Sequence, residues 1–206
     1  MLSTAARATQ APAWSRLLEL RTTVIAAGRE FLQLQLLSDE YILTRIGDGT
    51  MIFLREGGRR YTVDRIRQVL RPLDAGALWE AASGPSRSRV AVSLQDGPVE
   101  VDGYSCRRLT VESRVGLVTL STESFYASIS GVERTPLHEE RVLSAPDGYP
   151  AHLLDPSEIL VSARTTVRQG NFEQVQTSIL HSVRPDPEDN AAELEPLDFP
   201  RIDSVA

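Results

Sequence analysis

The stretch Val99 to Val111 reads V-E-V-D-G-Y-S-C-R-R-L-T-V, and the fold is decided there. Val99 and Val101 alternate with Glu100 and Asp102, the two-residue period of a strand with one wet face. Asp102-Gly103 is a turn signal, because glycine takes the positive φ that a tight hairpin needs. A second strand leaves through Tyr104 and Cys106 toward Leu109 and Val111. The alternation slips at Arg107-Arg108, which predicts a bulge at that point.

Upstream, the same strand-turn-strand grammar recurs. Leu18 to Ile25, with its Thr-Thr-Val-Ile ending, reads as a strand broken at Gly28. In Phe31 to Leu37, Leu32, Leu34 and Leu36 point one way while Phe31, Gln33 and Gln35 point the other. Tyr41 to Ile46 turns at Gly47-Asp48-Gly49 into Thr50 to Arg55, and Gly57-Gly58 turns that strand into Arg59 to Val63. Asp64 is then a candidate helix N-cap, since Ile66, Val69, Leu70 and Leu73 follow the 3, 4, 7 spacing of one helical face. Pro72 interrupts that helix, and Asp74 to Ala82, carrying Leu78 and Trp79, predicts a second one that stops at Ser83-Gly84-Pro85.

Downstream, Arg89 to Leu94 resumes the strands, followed by Gly116 to Leu120 and Glu123 to Ser130. Residues 131 to 156 read as loop, with turn residues dense over Ala145 to Pro150. Ile159 to Val167 is the cleanest alternation in the chain. Gln169-Gly170-Asn171 returns it into Phe172 to Val183, where Val175, Ile179 and Val183 line one face. The domain reading is a flexible leader over 1–13, a half-barrel domain over 14–184, and an acidic, mostly disordered tail over 185–206 in which Leu194 to Ile202 docks as a clip. The fold class expected is mainly β (α+β). A single curved antiparallel sheet forms an unclosed half-barrel, with one or two short helices over about 64–82 packed at its concave face.

Composition narrows the functions. With 206 residues, 41% hydrophobic and 24% charged, the chain has the make-up of one ordinary globular domain. A net charge of −6 speaks against a nucleic-acid partner. All 22 basic residues are arginine, which excludes a lysine Schiff base and a P-loop. Cys106 is the single cysteine, so no internal disulfide forms and a small buried thiol is expected. No apolar run approaches the roughly 20 residues of a membrane span. Met1 to Ala13 lacks the basic start and long apolar stretch of a signal peptide, which suits a cytoplasmic protein and a mature secreted chain equally.

The chemistry-bearing residues do not assemble into a motif. His138, His152 and His181 are far apart, with no H-x-x-x-H spacing and no cysteine at metal spacing, and G-x-S-x-G is absent. No catalytic residue, cofactor or metal is expected, and the chain is read as a non-enzyme. Arg59-Arg60 and Arg107-Arg108 are candidates for lipid headgroup contacts. Only one of each pair can face inward, because neighbours on a strand point to opposite sides.

The order of features resembles the LolA/LolB-like lipoprotein-carrier fold, an open barrel of about eleven antiparallel strands with helices plugging its mouth. It is most similar to a family of small secreted bacterial proteins of unknown function. The resemblance rests on Tyr61-Thr62 ending a strand, the segment Ile66 to Ala82, the Asp102-Gly103-Tyr104-Ser105-Cys106 hairpin, Glu123-Ser124-Phe125-Tyr126, and the loop Asp147-Gly148-Tyr149-Pro150. It covers roughly residues 15 to 183. The chain departs from the pattern in having no lipobox cysteine, and Leu197-Asp198-Phe199-Pro200 only echoes the family's C-terminal ending.

The resemblance implies a periplasmic or secreted protein that handles lipid. From it and the strand faces together, the expected function is non-enzymatic binding of a lipid acyl chain or lipidated protein in an apolar concavity. Leu32, Leu34, Leu36, Ile42, Phe53, Trp79, Phe125 and Ile129 are the expected lining. The alternative is a packed structural or interaction protein without a cavity. The partner's identity and the oligomeric state are left open.

Overall fold

A computed structural model describes residues 17–73, 89–115, 117–129, 137, 153–185 and 191–202. Six strands lead the chain: β1 (Leu18–Ala26), β2 (Arg29–Leu37), β3 (Tyr41–Ile46), β4 (Gly49–Leu54), β5 (Arg59–Asp64) and β6 (Val69–Pro72). Five longer ones follow: β7 (Arg89–Val101), β8 (Tyr104–Val115), β9 (Val118–Ser128), β10 (Glu158–Gln169) and β11 (Phe172–Pro185). All eleven join one sheet in the order β6-β5-β4-β3-β2-β1-β11-β10-β9-β8-β7, and every pairing is antiparallel. The first and last of the described strands therefore meet in the middle, and among the described residues β6 and β7 are the two edges. The sheet is an open half-barrel.

The opening hairpin forms as its residues require. Asp102 and Gly103 connect β7 to β8 with φ of 50° and 82°, the positive values that a tight two-residue turn between twisted strands demands. The bulge expected at Arg107-Arg108 lies instead on the opposite strand. Gln95 pairs with Arg108 and Val99 with Cys106, so Asp96-Gly97-Pro98 together face Arg107. Proline has no N–H to give a ladder, and glycine takes the local φ of 106°, so the irregularity belongs on edge strand β7.

Part of the expected helical region is strand. Asp64 ends β5, residues 65–68 form a turn, and Val69–Pro72 pairs back along β5 as β6. The helical spacing of Ile66, Val69, Leu70 and Leu73 was coincidental: Ile66 sits 97% exposed at the turn while Leu70 is 1% exposed in the sheet. Asp64 does cap, but it caps a turn. Its Oδ1 accepts the Arg67 backbone N–H at 3.0 Å and its Oδ2 accepts from Arg71 at 2.9 Å. The Arg67 N–H foremost, aided by Arg71, holds this carboxyl below its usual range. The second expected helix, Asp74 to Ala82 with Trp79, lies outside the described residues.

The two sides of the sheet are covered differently. One side, the core face, carries Leu20, Leu37, Ile42, Phe53, Cys106, Ala127, Ile159, Val161 and Leu180, joined by Leu137. The other, the tail face, carries Leu34, Leu36, Leu43, Ile52, Tyr61 and Leu70 from β2 to β6. The C-terminal segment packs over this second set through Leu194, Leu197 and Phe199. That segment is a helical turn, α1 (Ala191–Leu194), a 3-10 turn over Glu195–Asp198 with Pro196 buried, and an extended end. The end pairs with the β6 edge: Leu70 N–H donates to Pro200 O and Ile202 N–H to Leu70 O, both at 2.9 Å. Arg45 forms an ion pair with Glu193 of the same segment. A tail expected to be mostly disordered is thus ordered over 191–202, and Leu194 to Ile202 docks as a clip.

Truncation after Pro185 strips this cover and frees the β6 edge. Partial exposure of three large side chains costs about 3 kcal/mol, which for a chain of this length lowers the melting temperature on the order of 10 °C. A thermal melt checks the shift. Increased binding of an apolar dye should accompany it, and an unchanged melting temperature would show that the clip contributes nothing.

Candidate functional site

On the core face, β2 to β5 form a ladder of side chains fixed by register. Leu37, Ile42, Phe53 and Arg60 make one row, and Gln35, Thr44, Met51 and Thr62 make the next. Gln33 and Ile46 begin a third. Between these rows is a hollow of about 290 Å³ lined by Gln33, Gln35, Ile42, Thr44, Ile46, Met51, Phe53 and Arg60, and touched by Ile52, which belongs to the cluster of the tail face. One flank is apolar and the other polar, where Gln35 Nε2 donates to Thr44 Oγ1 at 3.3 Å. The Arg60 guanidinium lies over the Phe53 ring, 5.5 Å from its centre, so the cation closes the apolar flank.

The residues expected to line a cavity separate into two groups. Ile42 and Phe53 line the hollow, and Phe125 and Ile129 pack against the same core-face cluster from the other half of the sheet. Leu34 and Leu36 lie on the tail face, buried with Leu43 and Ile52. Leu32 shares their strand parity and is 55% exposed. Trp79 lies outside the described residues. The split follows from register: Leu37 pairs with Ile42 and Leu36 with Leu43, so the file Leu32-Leu34-Leu36 faces away from Ile42 and Phe53. Alternation correctly grouped those leucines, but it does not reveal which side carries the hollow. Gln33, Gln35, Thr44, Ile46, Met51 and Arg60 complete the lining. Their signal was parity with Leu37, once Leu37 is known to face Ile42.

The arginine pairs divide as strand geometry requires. Arg60 faces the hollow and its neighbour Arg59 is exposed. Arg107 points to the opposite side from Arg108. Its Nε lies 2.7 Å from Glu158 Oε1, and Glu158 Oε2 accepts the Asp155 backbone N–H at 2.8 Å. This 3%-exposed carboxylate therefore ties the chain before β10 to β8. There Leu154 seals a small cluster of Leu109, Val111 and Tyr126. Arg108 pairs with Glu123 and donates to Gln95.

Among the described residues, His181 and Cys106 have separate surroundings. His181 Nε2 is 2.6 Å from Thr23 Oγ1, while His138 and His152 lie outside the described residues. Among the described residues no three His, Cys, Asp or Glu side chains group as metal ligands, and no helix is long and apolar enough to cross a membrane. Cys106 is fully buried in the core-face cluster, its thiol directed at the Tyr104 carbonyl 3.5 Å away. Burial pushes this thiol above its ordinary pKa, and the nearby Glu100, Asp102 and Glu158 carboxylates push the same way.

No protein-family model and no curated protein matches the chain. Among solved structures it is similar to a DUF1329 family protein from Desulfovibrio piger, at 9% identity over 88% of this chain and 90% of that one, with a TM-score of 0.38. It is also similar to a putative outer membrane lipoprotein-sorting protein domain from Vibrio parahaemolyticus, at 7% identity over 89% and 92%, with a TM-score of 0.35.

A buried thiol with a raised pKa is a poor nucleophile. Native protein mixed with a thiol-exchange reagent at neutral pH should react at least a hundredfold more slowly than protein unfolded in guanidinium chloride. Equal rates would place Cys106 at the surface and contradict its packing.

Proposed function

We propose that the protein is a non-enzymatic binding module of the bacterial cell envelope, holding a lipid acyl chain or a lipidated protein in the apolar concavity of its half-barrel. The observation that carries this reading is the hollow on the core face. Its apolar flank, Ile42, Ile46, Met51 and Phe53, continues into the row of buried side chains that crosses the sheet. At about 290 Å³ it matches the small end of ligand sites, about 300 Å³ and upward. The Gln33-Gln35 file stands at its polar flank and Arg60 beyond Phe53 at the other, so a headgroup or ester would find a polar partner on either side. Burying eight methylenes there would contribute about 6 kcal/mol before ordering costs. The envelope location is supported by the resemblance of the hairpin and strand motifs to a family of small secreted bacterial proteins of unknown function.

A packed interaction protein without a ligand is the second reading. It is favoured by Leu137, which is 7% exposed and fills part of the core-face cluster with the chain's own side chain.

Native mass spectrometry on protein expressed with a bacterial signal peptide, followed by organic extraction, separates the two. The carrier reading expects a bound acyl species whose occupancy falls at least tenfold in Met51→Arg. That substitution is in the hollow at a 40%-exposed position, so the circular dichroism spectrum should not change. A clean apo mass with no uptake of added phospholipid would decide for the packed protein.

A further inference from the structure

Five hairpins lie along one end of the sheet: Ala27-Gly28, Gly47-Asp48, 65–68, the turn at Leu117, and Gly170-Asn171. Three of them carry a large apolar residue in water. Ile66 is 97% exposed, Leu117 80% and Phe172 60%. Ile25 and Leu32, diagonal neighbours on the first hairpin, add 39% and 55% at the same end. The opposite end is built otherwise. Its described turns hold Asp39, Glu40, Arg55, Glu56, Asp102 and Asp155, and no large apolar side chain among them is exposed. Scattered surface apolar residues are ordinary, but their collection on one rim is not.

Arginine accompanies each apolar tip. Arg65 and Arg67 flank Ile66, Arg114 precedes Leu117, and Arg168 precedes Phe172. Arg65 and Arg168 are ion-paired with Glu193 and Glu173, at 3.8 and 2.7 Å. The sheet order spreads the tips from one edge of the half-barrel to the other: Ile66 between β5 and β6, Phe172 near the middle, Leu117 between β8 and β9. A protein partner concentrates its apolar anchors at the centre of a compact patch. A row of separate tips along an arc, each apolar with a basic neighbour, suits a flat apolar layer under a negatively charged surface.

We infer that this rim docks on a membrane surface containing anionic phospholipid, with Ile66, Leu117 and Phe172 entering the interface and the arginines at headgroup level. The opposite end, whose described turns expose no large apolar side chain, then faces away. Docking gives a carrier access to lipid, so its purpose rests on the proposed function, although the surface itself does not.

Sedimentation of the full chain with vesicles tests it. Wild type should bind vesicles of phosphatidylcholine with 30% phosphatidylglycerol, and a triple Ile66→Asp, Leu117→Asp, Phe172→Asp variant should bind at least tenfold more weakly. Ser105→Asp, at an exposed position beside the Asp102-Gly103 turn of the opposite end, should bind as wild type does. The single Phe172→Ser variant, with a melting curve, shows whether any loss arises without unfolding. Absence of wild-type binding, or equal binding by the triple variant, overturns the inference. So does concentration-dependent self-association abolished by the triple variant in place of vesicle binding, which would assign the rim to a second copy. Vesicle binding without acyl uptake in native mass spectrometry leaves the rim standing and the carrier reading fallen; uptake without vesicle binding does the reverse.

Discussion

The ladder between β1 and β11 is the constraint on which the rest depends. Leu18 pairs with Pro185 and Ala26 with Gln176, so residues from the two ends of the folded chain are hydrogen-bonded neighbours. Without that ladder the molecule is two meanders, β1 to β6 and β7 to β11, each with an apolar face and no common core. With it, Leu20 and Leu37 on one side of the seam and Leu180 and Val161 on the other share a single cluster. Joining such distant residues requires most of the loop-closure entropy to be overcome before the contacts stabilise anything, so this seam is where slow folding is expected to arise.

The seam also explains two irregularities that alternation alone misplaces. Arg21 pairs with Ser182 but Thr22 with Leu180, so His181 is an extra residue in β11. That bulge puts Val183 on the core side with Leu180, whereas simple alternation placed it with Ile179. In β10 the shift between Leu160 and Ser162 makes Val161 the extra residue opposite β9, and both Ile159 and Val161 enter the core cluster. A bulge changes the parity of every residue beyond it, and no single residue type announces one.

Much of the fold was legible because the hairpins are local. Asp102-Gly103, Gly47-Asp48 and Gly170-Asn171 state their turns in their own residues, and the flanking β-branched residues state the strands. The segment 64–72 was misread because apolar residues in a short strand-turn-strand can match a helical spacing by accident, and sheet pairing overrides so brief a pattern. The candidate site was less legible. Leu34 and Leu36 look like cavity lining by composition. Their actual cover is Leu194, Leu197 and Phe199, more than 150 residues later, a contact no local pattern contains.

The two edges of the open sheet are guarded by unlike means. β6 is occupied by residues 200 to 202 of its own chain, while β7 is interrupted by Gly97-Pro98. An exposed edge is a template on which other chains can add. The first guard competes by proximity: being tethered, it stays at a fixed effective concentration however crowded the surroundings become. The second competes by shape, spoiling the straight run of donors and acceptors that a new strand would need. Crowding thus tests the two edges unequally, and any fibre or dimer that grows from this protein should begin at whichever guard fails first, the tether when the tail is cleaved and the kink when Pro98 is replaced.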